Sequence, residues 1–219
     1  MPFMNSRVTP IWSCKSFLPK LAAVSSTVLP VKLNLYAGDS ILICANNGVG
    51  KTSLLRSIVL MAPYFGQIWY SGKRLQPSLH AVYLDQIAYQ SSFPCFPQQV
   101  KGEEYLHWIC ALYHCEYSKL FIDRLGCAKI IKQKLGSLST GQRQLFSWLI
   151  MLFMKRKIWI LDEPFVHLDK DMQYLVTDLI IDHKKEGGIL LFTGHQPLKE
   201  SFVTRILFLA QGIEELCNV

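Results

Sequence analysis

The segment from residue 41 to residue 52 constrains the fold of this 219-residue chain more than any other feature. It passes from the apolar run ILIC through a loop with two glycines, Gly48 and Gly50, to Lys51 and Thr52. Backbone N–H groups of such a loop and the start of the helix after it surround a phosphate, and the lysine neutralises phosphate oxygens. The segment therefore predicts a strand, a phosphate-binding loop and a helix in that order.

We expect this loop and the first helical turn to hold the phosphates of ATP. The expected contacts come from Asn46, Asn47, Gly48, Val49, Gly50, Lys51, Thr52 and Ser53. The Thr52 hydroxyl is a suitable ligand for Mg²⁺, which prefers oxygen donors. Ala45 stands where the usual form of the loop has its first glycine, and a positive φ there would cost an alanine about 1 kcal/mol.

A second segment, IWILDE at residues 158–163, is an apolar run that ends in two carboxylates. A pair of acids at the tip of a buried strand needs a charged or polar partner. Asp162 is placed to hold Mg²⁺ through water, and Glu163 to polarise the water that attacks the γ-phosphate. Together with the loop, the two acids predict hydrolysis of Mg-ATP.

Short apolar runs alternate with helix-length segments, which indicates an α/β fold of the P-loop NTPase type with a mainly parallel sheet. Residues 66–72 alternate in polarity outward from a turn and predict a small antiparallel piece. The predicted strands are residues 41–44, 81–84, 158–161, 189–192 and 206–209, and the predicted helices of the core are 52–60 and 172–184. We expect a single domain, with a core lobe of residues 1–88 and 155–219 and an inserted helical lobe of residues 89–154, whose helices lie near 103–114 and 139–154.

The composition excludes some classes of protein. Half of the residues are apolar, but the longest apolar stretch, residues 145–154, is too short to cross a bilayer. The net charge of +7 comes from dispersed Lys and Arg and fits contact with anionic lipid headgroups, nucleic acid or nucleotide phosphates, so charge alone does not choose the partner. Because the chain has no long coiled coil or zinc module, we expect no nucleic acid partner. The seven cysteines lack paired spacing and favour a reducing compartment. A metal or haem site formed by His107, Cys110, His114 and Cys115 is the less favoured reading of that helix.

The segment LSTGQ, residues 138–142, precedes the long apolar helix. Ser139 and Gln142 have the spacing of a capping box, so an ordinary helix start is one reading of this segment. The order of the motifs along the chain also resembles the order found in ABC ATPases. It runs from the phosphate loop through LSTGQ, the Asp-Glu strand and Asp169 to His195. From that resemblance Ser139, Gly141 and Gln142 would face a nucleotide held by the loop of a second subunit.

The resemblance implies further roles. Asp169 would contact nucleotide across a homodimer with ATP at its interface, and His195 would hydrogen-bond the γ-phosphate and orient the attacking water. Gln86 resembles the glutamine that contacts Mg²⁺ after a core strand, with Gln90 as a competing choice. An aromatic that stacks on adenine is expected upstream of the first core strand, but residues 21–26 have none. Trp12 or Phe17 is then the candidate.

Within that family, the strings LDEPF at residues 161–165 and TGHQPL at residues 193–198 are similar to the ATP-binding subunit of the haem exporter of cytochrome c maturation. This resemblance implies membrane-spanning transporter subunits as partners. It also implies a peripheral position on the matrix face of the mitochondrial inner membrane or the cytoplasmic face of a bacterial-type inner membrane. Another ABC transporter, a soluble ABC ATPase and a non-catalytic nucleotide-binding regulator are the alternatives.

Overall fold

A computed structural model describes residues 9–20, 29–194, 202–209 and 213–216 of the chain. Its strands are β1 (Trp12–Pro19), β2 (Val31–Leu35), β3 (Ser40–Cys44), β4 (Tyr64–Tyr70), β5 (Lys73–Arg74), β6 (Ile87–Gln90), β7 (Ile158–Leu161), β8 (Ile189–Gly194), β9 (Arg205–Phe208) and β10 (Ile213–Leu216). Its α-helices are α1 (Lys51–Ile58), α2 (His80–Leu84), α3 (Gly102–Tyr113), α4 (Lys119–Arg124), α5 (Thr140–Met154) and α6 (Lys170–Lys185). Short 3₁₀ turns cover Pro77–Leu79 and Leu135–Ser137.

Six strands form a mainly parallel sheet in the order β10-β9-β3-β8-β7-β6, in which only β10 runs antiparallel to its neighbour. Both faces of β3 are buried, because Ile41 and Ile43 pack into one hydrophobic cluster while Leu42 and Cys44 pack into the other. This explains why the strand is a continuous apolar run rather than an alternating one. The α/β class and the parallel sheet with its antiparallel piece are confirmed.

The second sheet is antiparallel, with the order β2-β1-β4-β5. It covers one face of the parallel sheet, and α1 contributes Leu54, Leu55 and Ile58 to the cluster between them. The sequence reading found β4 as part of this piece but missed β1 and β2. The register of β1 shifts between Cys14 and Phe17, so its apolar residues do not keep the period of two that a regular strand shows.

The helices α3, α4 and α5 lie between β6 and β7 in the chain and pack on the other face of the parallel sheet. Helix α5 is the centre of this region, with Phe146, Trp148 and Leu149 fully buried. Within the described residues, no helix is both long and apolar enough to cross a membrane.

One predicted strand is wrong. Residues 81–84 form the end of α2, whose start follows a 3₁₀ turn with Pro77 at its first position. A short apolar run of this kind does not distinguish helix from strand by its periodicity. Only Tyr83 of this run is buried, and the strand of the sheet is instead β6, immediately after it.

Candidate functional site

The phosphate loop joins β3 to α1, as the sequence indicates. Gly48 and Gly50 have φ values of 80° and 112°, which lie in the left-handed region that favours glycine. Ala45 does not have a positive φ, so the strain that its replacement of a glycine suggested is absent. The Lys51 ammonium donates to the carbonyl oxygen of Ala45 at 2.8 Å, which folds the lysine back over the loop.

Asp162, immediately after β7, accepts hydrogen bonds from three hydroxyl groups. The Thr52 hydroxyl donates to its Oδ2 at 2.8 Å and the Thr193 hydroxyl to its Oδ1 at 2.9 Å, while Ser92 Oγ lies 3.3 Å from Oδ2. Asp162 is 1 % exposed. The pKa of the nearby Tyr89 phenol is raised, first by the burial of the phenol itself and second by the negative charge of Asp162. A buried carboxylate beside the Thr52 hydroxyl is a set of oxygen donors that fits Mg²⁺.

Glu163 lies beside the loop with an unusual backbone. Its φ is 51°, and its N–H donates to Thr193 Oγ1 at 2.9 Å. One carboxylate oxygen is 3.9 Å from the Lys51 ammonium, and the side chain is about one fifth exposed. A non-glycine residue held in this conformation next to a cation is typical of a functional position. The acid is therefore fixed by its backbone and is still accessible to water.

Thr193, like Ser92, is a residue of this site that the sequence analysis does not identify. It stands at the carboxyl end of β8, between the strands that carry the loop and the acids, and its one hydroxyl serves both Asp162 and Glu163. The position of Thr193, a polar residue at the end of an apolar strand, indicates a functional role. Its partners Asp162 and Glu163 cannot be inferred in this way, because they are distant in sequence.

Replacement of Thr193 by valine should damage both stability and turnover. Thr193→Val keeps the shape but leaves a buried carboxylate oxygen and a backbone N–H without a partner, so the free energy of unfolding should fall by about 1–3 kcal/mol. We expect the ATP hydrolysis rate to fall about tenfold because the Glu163 backbone is no longer fixed. Urea unfolding and a steady-state ATPase assay measure the two effects.

Thr177→Val is the matched control, because the Thr177 hydroxyl donates only to the Gln173 carbonyl of its own helix. It should leave the hydrolysis rate unchanged. A Thr193→Val protein with normal stability and turnover would show that the shared hydroxyl does not organise the two acids.

The predicted metal contact by Gln86 is wrong. Gln86 precedes β6, and its carbonyl accepts from Ile158 N at the amino end of the sheet. Asp162 N instead bonds to the carbonyl of Gln90, at the carboxyl end of β6. Because a strand rises about 3.3 Å per residue, the two glutamines are about 13 Å apart along it. Gln90 is fully buried and its side-chain amide has no hydrogen-bond partner among the described residues.

The start of α5 has the capping box that the spacing predicts. Gln142 N donates to Ser139 Oγ at 3.2 Å, and Ser139 N donates to Gln142 Oε1 at 3.0 Å. Ser139 itself is exposed. A Cβ on Gly141 would lie 2.9 Å from the carbonyl oxygen of His167, so this glycine is needed where the two segments touch.

The segment before α6 is the neighbour of that helix start. Asp169 caps α6, because its Oδ1 accepts from Met172 N at 2.9 Å. His167 has a φ of 66°, and its ring lies 5.7 Å from the ring of Phe93. The expected contact of Asp169 with nucleotide across a dimer stays a prediction.

Three other expectations have different outcomes. His195 lies outside the described residues. Trp12 and Phe17 cannot stack on adenine, because both are buried between the two sheets and the Trp12 indole N–H donates to the Tyr83 hydroxyl.

No group of three or more His, Cys, Asp or Glu able to hold a metal occurs in the described part of the chain, so the helix with His107 carries no such site there.

Comparison with known families gives the same assignment as the geometry. A protein-family model described as ABC transporter matches residues 28–166, which is more than half of the chain. The chain belongs to the ABC transporter family. It is an ATP hydrolase that binds ATP, and the match includes the phosphate loop, LSTGQ and the Asp-Glu pair.

Relatives within the ABC family carry more specific descriptions. The chain is 29% identical over 176 residues to the cytochrome c biogenesis ATP-binding export protein CcmA of Reclinomonas americana, which covers 77% of this chain and 78% of that protein. It is 30% identical over 173 residues to the protein of the same name from Cupriavidus pinatubonensis, with coverages of 77% and 76%. Identity to ABC transporter I family member 1 of Arabidopsis thaliana is 28% over 171 residues, covering 77% and 75%.

Solved structures agree on the fold. An ATP-binding subunit of an ABC transporter superposes with a TM-score of 0.83 at 18% identity, covering 94% of this chain and 90% of that one. CbiO1 of Clostridium perfringens, part of an ABC transporter complex, gives a TM-score of 0.72 at 17% identity, with coverages of 95% and 89%.

Proposed function

We propose that this chain is the ATP-hydrolysing subunit of the haem exporter that serves cytochrome c biogenesis. The observation that carries the proposal is the similarity to proteins named as cytochrome c biogenesis ATP-binding export proteins over about three quarters of both chains. The string HQPL at residues 195–198 supports the same subfamily. The subunit would lie on the matrix face of a mitochondrial inner membrane or the cytoplasmic face of a bacterial-type one.

The residues of the site divide the reaction between them. The N–H groups of the loop and the Lys51 ammonium would bind the β- and γ-phosphates. The phosphates would then replace the Ala45 carbonyl and Glu163 as partners of the Lys51 ammonium. Glu163 would accept a proton from the water that attacks the γ-phosphate. The bond from its N–H to Thr193 fixes the carboxylate beside that water without tying up its oxygens.

Mg²⁺ would be held by Thr52 and by Asp162, and Gln90, whose backbone carbonyl accepts from Asp162 N, is the glutamine at this end of the sheet. Bound there, the ion would neutralise charge on the phosphate oxygens. The hydrogen bonds from Thr193 and Ser92 orient the carboxylate before any ion arrives. This arrangement explains why a charged group is kept at a position that is almost fully buried.

A homodimer would complete the site. The exposed Ser139 hydroxyl stands at the start of α5, where the positive end of the helix dipole suits an anion. In the dimer this start would meet the γ-phosphate of the nucleotide bound by the partner cassette. Gly141, in contact with the His167 carbonyl, sets the distance between this helix start and the segment that leads to Asp169.

The helical region carries the surface that would contact a membrane-spanning subunit. Three aromatic side chains of this region pack against the core around α5 and are not part of that surface, namely Phe96, Tyr105 and Tyr117. Trp108 and Leu112 are 55 % and 67 % exposed and lie one turn apart on α3, so they share a face. An exposed aromatic and leucine on one helix face suit an apolar helix of a partner.

Complementation of cells that lack this protein tests the proposal. We expect such cells to lose covalently attached haem from c-type cytochromes and to keep b-type cytochromes, which haem staining and difference spectra measure. The wild-type chain should restore c-type cytochromes. Trp108→Ala should fail to restore them and should leave the protein unattached to membranes, although its ATP binding remains normal.

Phe65→Ala is the matched control for the surface. Phe65 is also an exposed aromatic, at 53 %, but it lies on β4 of the antiparallel sheet. This variant should restore c-type cytochromes fully. Normal c-type cytochromes in cells without the protein would reject the haem-exporter assignment and leave the ABC family assignment intact. Equal function of the Trp108 and Phe65 variants would reject the docking surface alone.

A further inference from the structure

A cavity of about 600 Å³ lies at the end of the parallel sheet opposite the phosphate loop. It is bounded by the last turns of α5 and α6 and by residues that lead into β7 and β8. The phosphate loop and Asp162 follow the carboxyl ends of parallel strands, whereas this cavity lies at their amino ends. Its volume is in the range that small-molecule ligands occupy, roughly 300–1,000 Å³.

One side of the cavity is apolar. It is formed by Met151 and Leu152 of α5, Leu179 of α6, Phe121 of α4 and Trp159 of β7. These side chains come from four different elements of the fold. An apolar wall of this size favours a ligand with a hydrocarbon body.

Trp159 is a fixed part of this lining. Its side chain is 3 % exposed, and its indole N–H has no hydrogen-bond partner among the described residues. The ring is held in place, since it stacks on the His183 ring at 3.9 Å and meets Trp148 edge to face. The indole nitrogen is itself closed to solvent, so Trp159 lines the cavity through its carbon atoms.

The charges around the cavity favour an anion. Four of its residues are cationic, namely Arg124, Lys155, Arg156 and Lys157. Arg124 pairs with Asp182 and Arg156 with Asp85, so two lysines face the single remaining acid, Glu186.

His183 adds no positive charge to this balance at neutral pH. Burial lowers its pKa to about 4, and the backbone hydrogen bonds that oppose the shift are the weaker effect. The imidazole packs against Gly188, where an added Cβ would lie 2.3 Å from its ring. The excess of one positive charge therefore comes from the lysines alone.

We propose that this cavity binds a small carboxylic acid with an apolar body. The hydrocarbon part lies against the wall of Met151 and Leu152, and the carboxylate is attracted by Lys155 and Lys157. The site is separate from the ATP site and does not depend on the transported substrate.

Isothermal titration of the full chain with 2-naphthoate and with the neutral alcohol 2-naphthalenemethanol tests this proposal. We expect one naphthoate to bind per chain, and the alcohol, which has the same ring system without the charge, to bind about fivefold more weakly. Lys155→Gln combined with Lys157→Gln should remove that difference. Lys129→Gln combined with Lys132→Gln, which removes two exposed charges away from the cavity, should preserve it.

Leu152→Trp, which fills the cavity from its partly exposed rim, should abolish binding of both compounds. Circular dichroism checks that this variant is folded, and the lysine pair gives an independent result if it is not. Equal affinities for acid and alcohol, unchanged naphthoate binding in the Lys155/Lys157 variant, or no naphthoate binding to the wild-type chain would each overturn the proposal.

Discussion

Glu163→Gln should reduce the rate of ATP hydrolysis by roughly 10² or more while ATP is still bound. The amide keeps the shape of the side chain, and the backbone bond from residue 163 to Thr193 does not involve the carboxylate. The change therefore removes the proton acceptor and its ion pair with Lys51, while the Lys51 ammonium keeps its hydrogen bond to the Ala45 carbonyl. Single-turnover hydrolysis and fluorescent-nucleotide binding separate the two effects.

Glu104→Gln is the control, because Glu104 is exposed in the first turn of α3 and lies outside the site. It should hydrolyse ATP at the wild-type rate. If the Glu163 variant also retained full turnover, another group would have to be the base, and the contact of Glu163 with Lys51 would be structural only.

Ser139→Asp should abolish ATP-induced dimerisation and hydrolysis. Aspartate is as good a helix cap as serine, so α5 should keep its first turn. Its carboxylate would, however, stand where the γ-phosphate of the partner cassette is expected, and like charges repel strongly at such distances. Light scattering with ATP and an ATPase assay measure the result, and ATP binding by the monomer should be unchanged.

Ser139→Asn separates charge from shape, because asparagine also caps a helix but carries no charge. We expect this variant to dimerise and to retain most of its activity. If the aspartate variant dimerised and hydrolysed ATP as well as the asparagine variant does, Ser139 would be a helix cap and nothing more.

The sequence predicted the parts of the site that depend on local spacing. The residues that form the phosphate loop lie within a few positions of one another. The same is true of the strand before Asp162 and of the capping box at Ser139, so a short pattern is sufficient to predict each of them. The elements β3, α1, β7 and α6 were found for a related reason. Both faces of these strands are buried, α1 directly follows the glycine-bearing loop, and Asp169 caps α6, so their patterns are strong.

What the sequence did not predict depends on contacts between distant segments. Thr193 is 31 residues from Asp162, and nothing near it in the chain indicates its partners. Gln86 precedes the short β6 and Gln90 is its last residue, and only the pairing of β6 with β7 decides which one lies beside Asp162. The burial of Trp12, which excludes a stack on adenine, depends on the pairing of β1 with β2 and β4 and has no local sequence signal.

The strand order has a consequence for synthesis of the protein. Strands β3 and β7, which carry the phosphate loop and the acids, are not neighbours, because β8 lies between them and pairs with both. A ribosome makes β8 last of the three. Until residue 194 has emerged, the two halves of the site have unpaired edges and no common sheet, so the nascent chain exposes apolar strands that aggregate readily. Nucleotide binding can therefore assist folding only late in translation, after Thr193 has taken its place.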